Sequence, residues 1–576
     1  MGGVWWWKLL FAALAVTLLS AEYCASQKDP KYTFMHNATT AANISYYDYI
    51  IIGGGTAGCP LAATLSQNYS VLVLERGGSP YGNPNITNLD TFGAALSDIS
   101  PTSPSQRFIS QDGVINSRAR VLGGGSCLNA GFYSRASPQY VREAGWDGKT
   151  ANESYQWVEK LVAFKPHVKQ WQSAVRDGLL EIGVVPNNDF TYDHIYGTKV
   201  GGTIFDEQGF RHTAADLLEY ANPIGITVLL HAPVQRILFR MKGARKPRAH
   251  AVVYRDALGR KHKAYLKQGS KNEIIVSAGA LGSPQLLMLS GVGPAQHLRA
   301  HNISVTLDQP LVGQGMADNP MNAIFIPSPV PVEVSLIEVV GITSFGSYIE
   351  AASGENFAGG SPKDYGMLSP KIGQLSTVPP KQRTPEALSK AIESMSTLDQ
   401  AAFRGGFILE KIMGPFSTGH LELQTRNPND NPSVTFNYFQ DPRDLQRCVQ
   451  GLTTVEKVIE SKAFSPFKYE TMPISVLLNI TASSPVNLLP KHANVSTSLE
   501  QFCKDTVMTI WHYHGGCQVG RVVDSDYKVL GVDALRVVDG STFISSPGTN
   551  PQATVMMLGR YMGVKILGER LAADDE

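Results

Sequence analysis

The sequence predicts an α/β protein built on a Rossmann-like dinucleotide unit, and three observations carry that expectation. A β-rich apolar run at residues 46–52 is followed at once by Gly53-Gly54-Gly55-Thr56-Ala57-Gly58. A helical stretch over 59–66 comes next, then a second apolar run at 70–74 that ends in Glu75. Glycine supplies 54 of 576 residues, above the ~7% average, while charged residues are only 17% against ~25%. Further glycine clusters recur at Gly123-Gly124-Gly125, between Gly279 and Gly293, and at Gly515-Gly516.

At the N-terminus, one positive charge at Lys8 precedes an apolar stretch over 9–21. Thirteen apolar residues fall short of the ~20 needed to span a bilayer, so residues 1–26 are expected to be a signal peptide and the protein secreted. Asn-x-Ser/Thr sites at Asn37, Asn43, Asn68, Asn85, Asn152, Asn302, Asn479 and Asn494 are glycosylation candidates that agree with that route.

In the strand–glycine–helix unit, Gly53 permits the tight turn. Gly55 lets a pyrophosphate approach the backbone, and Gly58 lets helix and strand pack closely. Thr56 and Ala57 open the helix, whose free N–H groups and dipole favour an anion. Glu75 is placed to bind ribose hydroxyls and disfavours a 2′-phosphate. Position early in the chain favours FAD over a soluble nicotinamide cofactor.

Residues 117–131 (SRARVLGGGSCLNAG) follow. The uncharged stretch 274–294 is long enough to cross a membrane, but Pro284 and its glycines make it a buried strand–turn–helix. No stable membrane span is expected elsewhere. Residues 324–345 are apolar and suit either a greasy channel or a core strand. The last motifs are His512-Tyr513-His514-Gly515-Gly516-Cys517, then LRVVDGS over 535–541, then Pro547-Gly548-Thr549-Asn550-Pro551-Gln552. Residues 552–571 read as an amphipathic helix.

In this order the motifs resemble the glucose–methanol–choline (GMC) oxidoreductases, FAD enzymes that oxidise alcohols, over nearly all of the chain from Asp48 on. The resemblance implies a discontinuous FAD-binding domain, 44–140, 226–315 and 510–576. It also implies a substrate domain, 141–225 and 316–509, built on an antiparallel sheet flanked by helices. Catalysis falls to His512 as base, with Asn550 orienting the alcohol oxygen; an amide takes no proton at neutral pH. His514 is read as packing or flavin-edge support. Asn129 is placed near the reactive flavin edge, with Val121 and Gly125 in the same loop. Asp539 and Gly540 are placed by the ribityl or pyrophosphate, Pro551 and Gln552 at the helix end by the pyrimidine edge, and Val234 against adenine. Some relatives attach FAD through a histidine just before the asparagine; Leu128 stands there, so FAD is expected to be non-covalent.

Strings such as 48–78 and 509–520 resemble a plant branch of the family. That branch implies oxidation of the alcohol of long-chain ω-hydroxy fatty acids, with a role in cuticle formation. The alternative is a cyanohydrin lyase with non-redox FAD. Asn550 weighs against it, because the comparable lyases carry histidine before that proline. A third reading, a catalytically silent secreted flavoprotein, is opposed by the intact His512 and Asn550.

Lys+Arg minus Asp+Glu is 50 − 49 = +1, which provides no surface for nucleic acid. The partner expected is a small apolar alcohol, and the protein is expected to be a monomer; the electron acceptor is not specified by the sequence. Cys448 and Cys503 are candidates for one disulfide, with the pairing open. His512-x-His514 lacks further ligands nearby, so no metal is expected.

Overall fold

The computed structural model describes residues 30, 32–241, 246–354, 405–483 and 498–574. The leader expected at 1–26 and the sequon at Asn494 lie outside the described residues. The strands Tyr49–Ile52 and Val71–Leu74 are buried at every position, as continuous apolar runs covered on both faces should be. They pair in parallel and form the middle of a six-stranded sheet. Its spatial order is Met35–Asn37, Ile226–Leu230, Val71–Leu74, Tyr49–Ile52, Glu273–Val276, Leu535–Val537, and every pairing is parallel. Strands far apart in sequence thus sit side by side. The glycine loop and the loops after Val276 and Val537 all leave the same end of the sheet, where ligands of open parallel sheets bind.

The uncharged stretch at 274–294 resolves into the strand Glu273–Val276 and the buried helix Gly279–Leu289. Among the described residues, no helix is long and apolar enough to cross a membrane. The C-terminal helix Gln552–Asp574 differs from its expected amphipathic form. Over 552–563 it is covered on nearly all sides, because it is wedged between the helices Gly58–Leu65 and Gly148–Val162. Small residues make the first contact possible. A Cβ on Gly559 would lie 2.2 Å from the Ala57 carbonyl oxygen, and one on Gly563 would lie 2.7 Å from the Thr64 side chain.

A second, seven-stranded sheet runs Met508–Thr509, Pro320–Pro327, Gly405–Ile412, Ser347–Ser353, Val339–Ile342, Gly197–Val200, Asn187–Phe190. It is antiparallel except at the last pair. One face packs on the helices Gln170–Glu181 and Pro442–Ile459 through Trp171, Val175, Ile408, Ile412 and Val455. The stretch 324–345 splits between the strands Pro320–Pro327 and Val339–Ile342 and the linking loop. Cys448 and Cys503 are joined by a disulfide that ties the helix Pro442–Ile459 to Leu499–Thr506, with Cα atoms 6.3 Å apart. Cys59, Cys127 and Cys517 are buried thiols.

Candidate functional site

Between the ligand end of the parallel sheet and the uncovered face of the antiparallel sheet lies a cavity of about 320 Å³. All sixteen candidate site residues except Gly58 line it: Gly53, Gly55, Thr56, Ala57, Glu75, Val121, Gly125, Asn129, Val234, Asp539, Gly540, Pro551 and Gln552, with His512 and Asn550. Gly58 sits beneath the loop, where a Cβ would meet the Gly53 carbonyl oxygen at 2.0 Å. Gly55 faces the cavity. The nearest atom to a Cβ built there is the Gly124 Cα at 3.8 Å, so a side chain would fill the cradle and not clash behind it.

The acids at the base of this cradle hold backbone. Glu75 accepts from the Gly54 N–H (3.0 Å) and the Gly77 N–H (2.7 Å), and burial pushes its carboxyl above the usual range. Asp539 accepts from the Gly279 N–H (2.9 Å), the Ser541 N–H (2.8 Å) and the Ser283 hydroxyl (2.5 Å), fixing the start of the helix Gly279–Leu289. The Asn129 amide donates to Gln552 Oε1 (2.9 Å), and Gln552 Nε2 donates to the Phe132 carbonyl (2.6 Å). The triple-glycine loop is thereby tied to the first turn of the C-terminal helix. An uncharged cradle of backbone N–H groups at a helix start, with a carboxylate about 20 residues on, fits a dinucleotide. A buried acceptor at the other end, Asn550 Oδ1, has no partner among the described residues and adds a polar atom ready for a ligand.

His512 stands at that end. Its loop is held by reciprocal backbone bonds between Ala317 and His514 (3.0 and 2.8 Å) and by the buried Asp318, which takes the His512 N–H. Burial pushes the Asp318 carboxyl up to about 6. Trp511, immediately before His512, has φ of 59°, a left-handed conformation rare for a large side chain and retained where surrounding structure over-determines it. Burial, then the Lys411 ammonium, then His514 hold the His512 imidazole well below the usual histidine range. It is therefore neutral at pH 7 and able to accept a proton. His514 Nδ1 meets the His512 carbonyl oxygen at 2.9 Å, and burial brings that ring down to about 4. Its ring is thus tied to the loop that carries His512.

Several lining residues have no signature in the sequence. On the strand Gly405–Ile412, alternation puts Phe407, Leu409 and Lys411 on the cavity face while Ile408 and Ile412 enter the core behind. Opposite them in register lie Ala352, Glu350 and Tyr348. Lys411 is ion-paired with Glu350, and both are buried. Burial raises the Glu350 carboxyl above its ordinary range, opposed first by Lys411 and then by the Asn550 side chain. Leu336, Ile337, Phe92, Leu96 and Met321 complete an apolar wall. The stretch 324–345 therefore supplies both cavity lining and core.

Comparison with known proteins is consistent with this arrangement. Two GMC oxidoreductase family models match the chain, over residues 47–321 and 415–559. The chain is 55% identical to Protein HOTHEAD of Arabidopsis thaliana, covering 98% of each. It is 47% identical to an (R)-mandelonitrile lyase-like protein of the same plant, again over 98% of each. Sinalpyl alcohol oxidase Nec3 of Nesocodon mauritianus is 42% identical, covering 99% of this chain and 97% of its own. Among solved structures, pyridoxine 4-oxidase from Mesorbium loti shares the fold with a TM-score of 0.70 at 20% identity, covering 90% of this chain and 98% of its own.

Proposed function

The chain belongs to the GMC oxidoreductase family, an FAD-dependent group, and from that premise we propose that it oxidises the alcohol group of a long-chain, largely apolar substrate of the ω-hydroxy fatty acid type. One observation carries the reading: His512 and Asn550 share a cavity whose lining includes a run of apolar side chains, Phe92, Leu336, Ile337, Ala352, Phe407 and Leu409. Bound FAD supplies the hydride acceptor, and the rest of the chemistry belongs to side chains. Gly53, Gly55, Thr56, Ala57 and Gly125 hold the pyrophosphate end. Glu75 and Val234 hold the adenosine, and Asp539, Gly540, Asn129, Pro551 and Gln552 hold the remainder, non-covalently. The neutral His512 takes the hydroxyl proton while Asn550 orients the oxygen. The apolar wall excludes water and aligns the chain.

The division into an FAD-binding domain (44–140, 226–315, 510–576) and a substrate domain (141–225, 316–509) belongs to the same proposal. It is supported by the separate parallel and antiparallel sheets. Passage through the secretory pathway is supported by the disulfide and by the sequons at Asn37, Asn43, Asn68, Asn85, Asn152, Asn302 and Asn479, all exposed.

A second reading, cyanohydrin cleavage, is favoured by the lyase-like relative at 47% identity. It would need a free cation beside His512 to hold cyanide, and Lys411, the cation there, is already ion-paired with Glu350. The test is anaerobic mixing with 16-hydroxyhexadecanoic acid while flavin absorbance is followed. Bleaching is expected; no bleaching with that or shorter primary alcohols, together with cyanide release from mandelonitrile, would replace this reading by the lyase.

A further inference from the structure

We propose that Tyr348 is a positioning residue that fixes His512 in its Nδ1–H tautomer, leaving Nε2 as the nitrogen that accepts a proton; this rests on the reading of His512 as the base. The Tyr348 hydroxyl has one hydrogen and two neighbours. It lies 2.9 Å from the Thr549 carbonyl oxygen and 3.5 Å from His512 Nδ1. A carbonyl only accepts, so the hydroxyl hydrogen is committed to Thr549. The oxygen then presents lone pairs to Nδ1. A bare Nδ1 would set two acceptors against each other in a buried site, whereas Nδ1–H makes a hydrogen bond. The 3.5 Å separation is long, and such bonds tighten when substrate is in place.

The contact is built into the fold. Tyr348 is wholly buried on the strand Ser347–Ser353, in register with Lys411, whose ammonium lies 5.8 Å from the Tyr348 ring centroid. The same hydroxyl reaches Thr549, next to Asn550, so one side chain ties together the two loops that carry the reacting pair. Lys411, its partner Glu350, His514 and Asp318, which takes the His512 N–H, are titratable groups around His512. In the step itself the alcohol O–H bond breaks, its electron pair stays on oxygen and the proton forms a bond to Nε2. The imidazolium so formed donates more strongly from Nδ1 to Tyr348, a bond that gains strength as the reaction proceeds.

The test is ¹⁵N NMR of the FAD-loaded protein labelled in its 13 histidines, with His512 assigned by difference against His512→Asn. The expected result is a protonated Nδ1 and an unprotonated Nε2 in the unmodified protein, and a growing Nε2–H fraction in Tyr348→Phe. With 16-hydroxyhexadecanoic acid, Tyr348→Phe should bind FAD normally and reduce it about 10-fold more slowly at saturation, with KM within about 2-fold. An Nε2–H tautomer in the unmodified protein overturns the proposal, even if the variant fails to fold. So does a variant with unchanged tautomer and rate. If the tautomer is as expected but no alcohol reduces the flavin, the oxidoreductase reading falls and the assignment of Tyr348 stands.

Discussion

In the proposed reaction His512 is the residue on which the chemistry turns, and its surroundings set its behaviour. Because burial and Lys411 hold its protonated form down, it remains a base well into mild acid. His512→Ala should keep FAD, since none of the cradle contacts use the ring, yet reduce it ~10²–10⁴-fold more slowly. Stopped-flow absorbance at saturating alcohol measures this, and a rate within about 3-fold of the unmodified protein would place the base elsewhere. His194 provides a second residue-scale prediction. It packs against the loop before Asn550, 3.4 Å from the position of a Cβ on Gly548, and burial followed by Lys199 brings its imidazole down to about 4. The folded protein keeps this ring neutral while the unfolded chain takes up a proton below about 6.5. Stability is therefore lost as pH falls from about 6.5 towards 4. His194→Asn should not share that loss: between pH 7 and 4.5 the unmodified protein should fall relative to the variant by on the order of 2 kcal/mol, read from urea midpoints. Parallel midpoints at both pH values would show the ring to be uninvolved.

Three elements show what sequence can and cannot reveal. The glycine loop was legible because a tight turn, an open cradle and a close helix–strand contact each demand glycine at a fixed spacing, and Gly53, Gly55 and Gly58 meet those demands separately. The strand Gly405–Ile412 was not. Both of its faces are buried, so alternation alone does not say whether Phe407, Leu409 and Lys411 or their neighbours meet the cavity; only pairing with Ser347–Ser353 decides it. Tyr348 and Glu350 stayed hidden for the same reason, with more than a hundred residues between them and His512. The C-terminal helix was recognised as a helix but not as one buried nearly all round, because Gly559 and Gly563 look like breaks in an apolar stripe when they are in fact its contact surface. Gly559→Ala tests that role. The new methyl would press on the Ala57 carbonyl at the head of the cradle, costing about 1–3 kcal/mol of stability and displacing the loop proposed to meet FAD. The expected result is a lower melting temperature and a weaker FAD dissociation constant by fluorescence titration. If both stay unchanged, the helix contact is looser than its geometry indicates.

At the scale of the whole molecule, the cavity is what joins the two sheets. Its lining runs from Ile52 to Val555, drawing on the parallel sheet's loops from one side and the antiparallel sheet's face from the other. A ligand there binds the folded chain and not the unfolded one, so occupancy should raise stability by RT ln(1 + [L]/Kd), about 2.7 kcal/mol at 100 times the dissociation constant. The near-zero net charge agrees with a pyrophosphate held by N–H groups at a helix start without a basic surplus. The cavity's side chains also bear on attachment. Leu128 occupies the position just before Asn129, and its isobutyl group cannot bond to the flavin. Denaturation should therefore release all yellow colour into the supernatant, and protein stripped of FAD should melt at a lower temperature that climbs with added FAD in proportion to the logarithm of its concentration. Colour remaining on acid-precipitated protein would show a covalent bond from another side chain. A melting temperature indifferent to FAD would show that the sheets hold together without the cofactor between them.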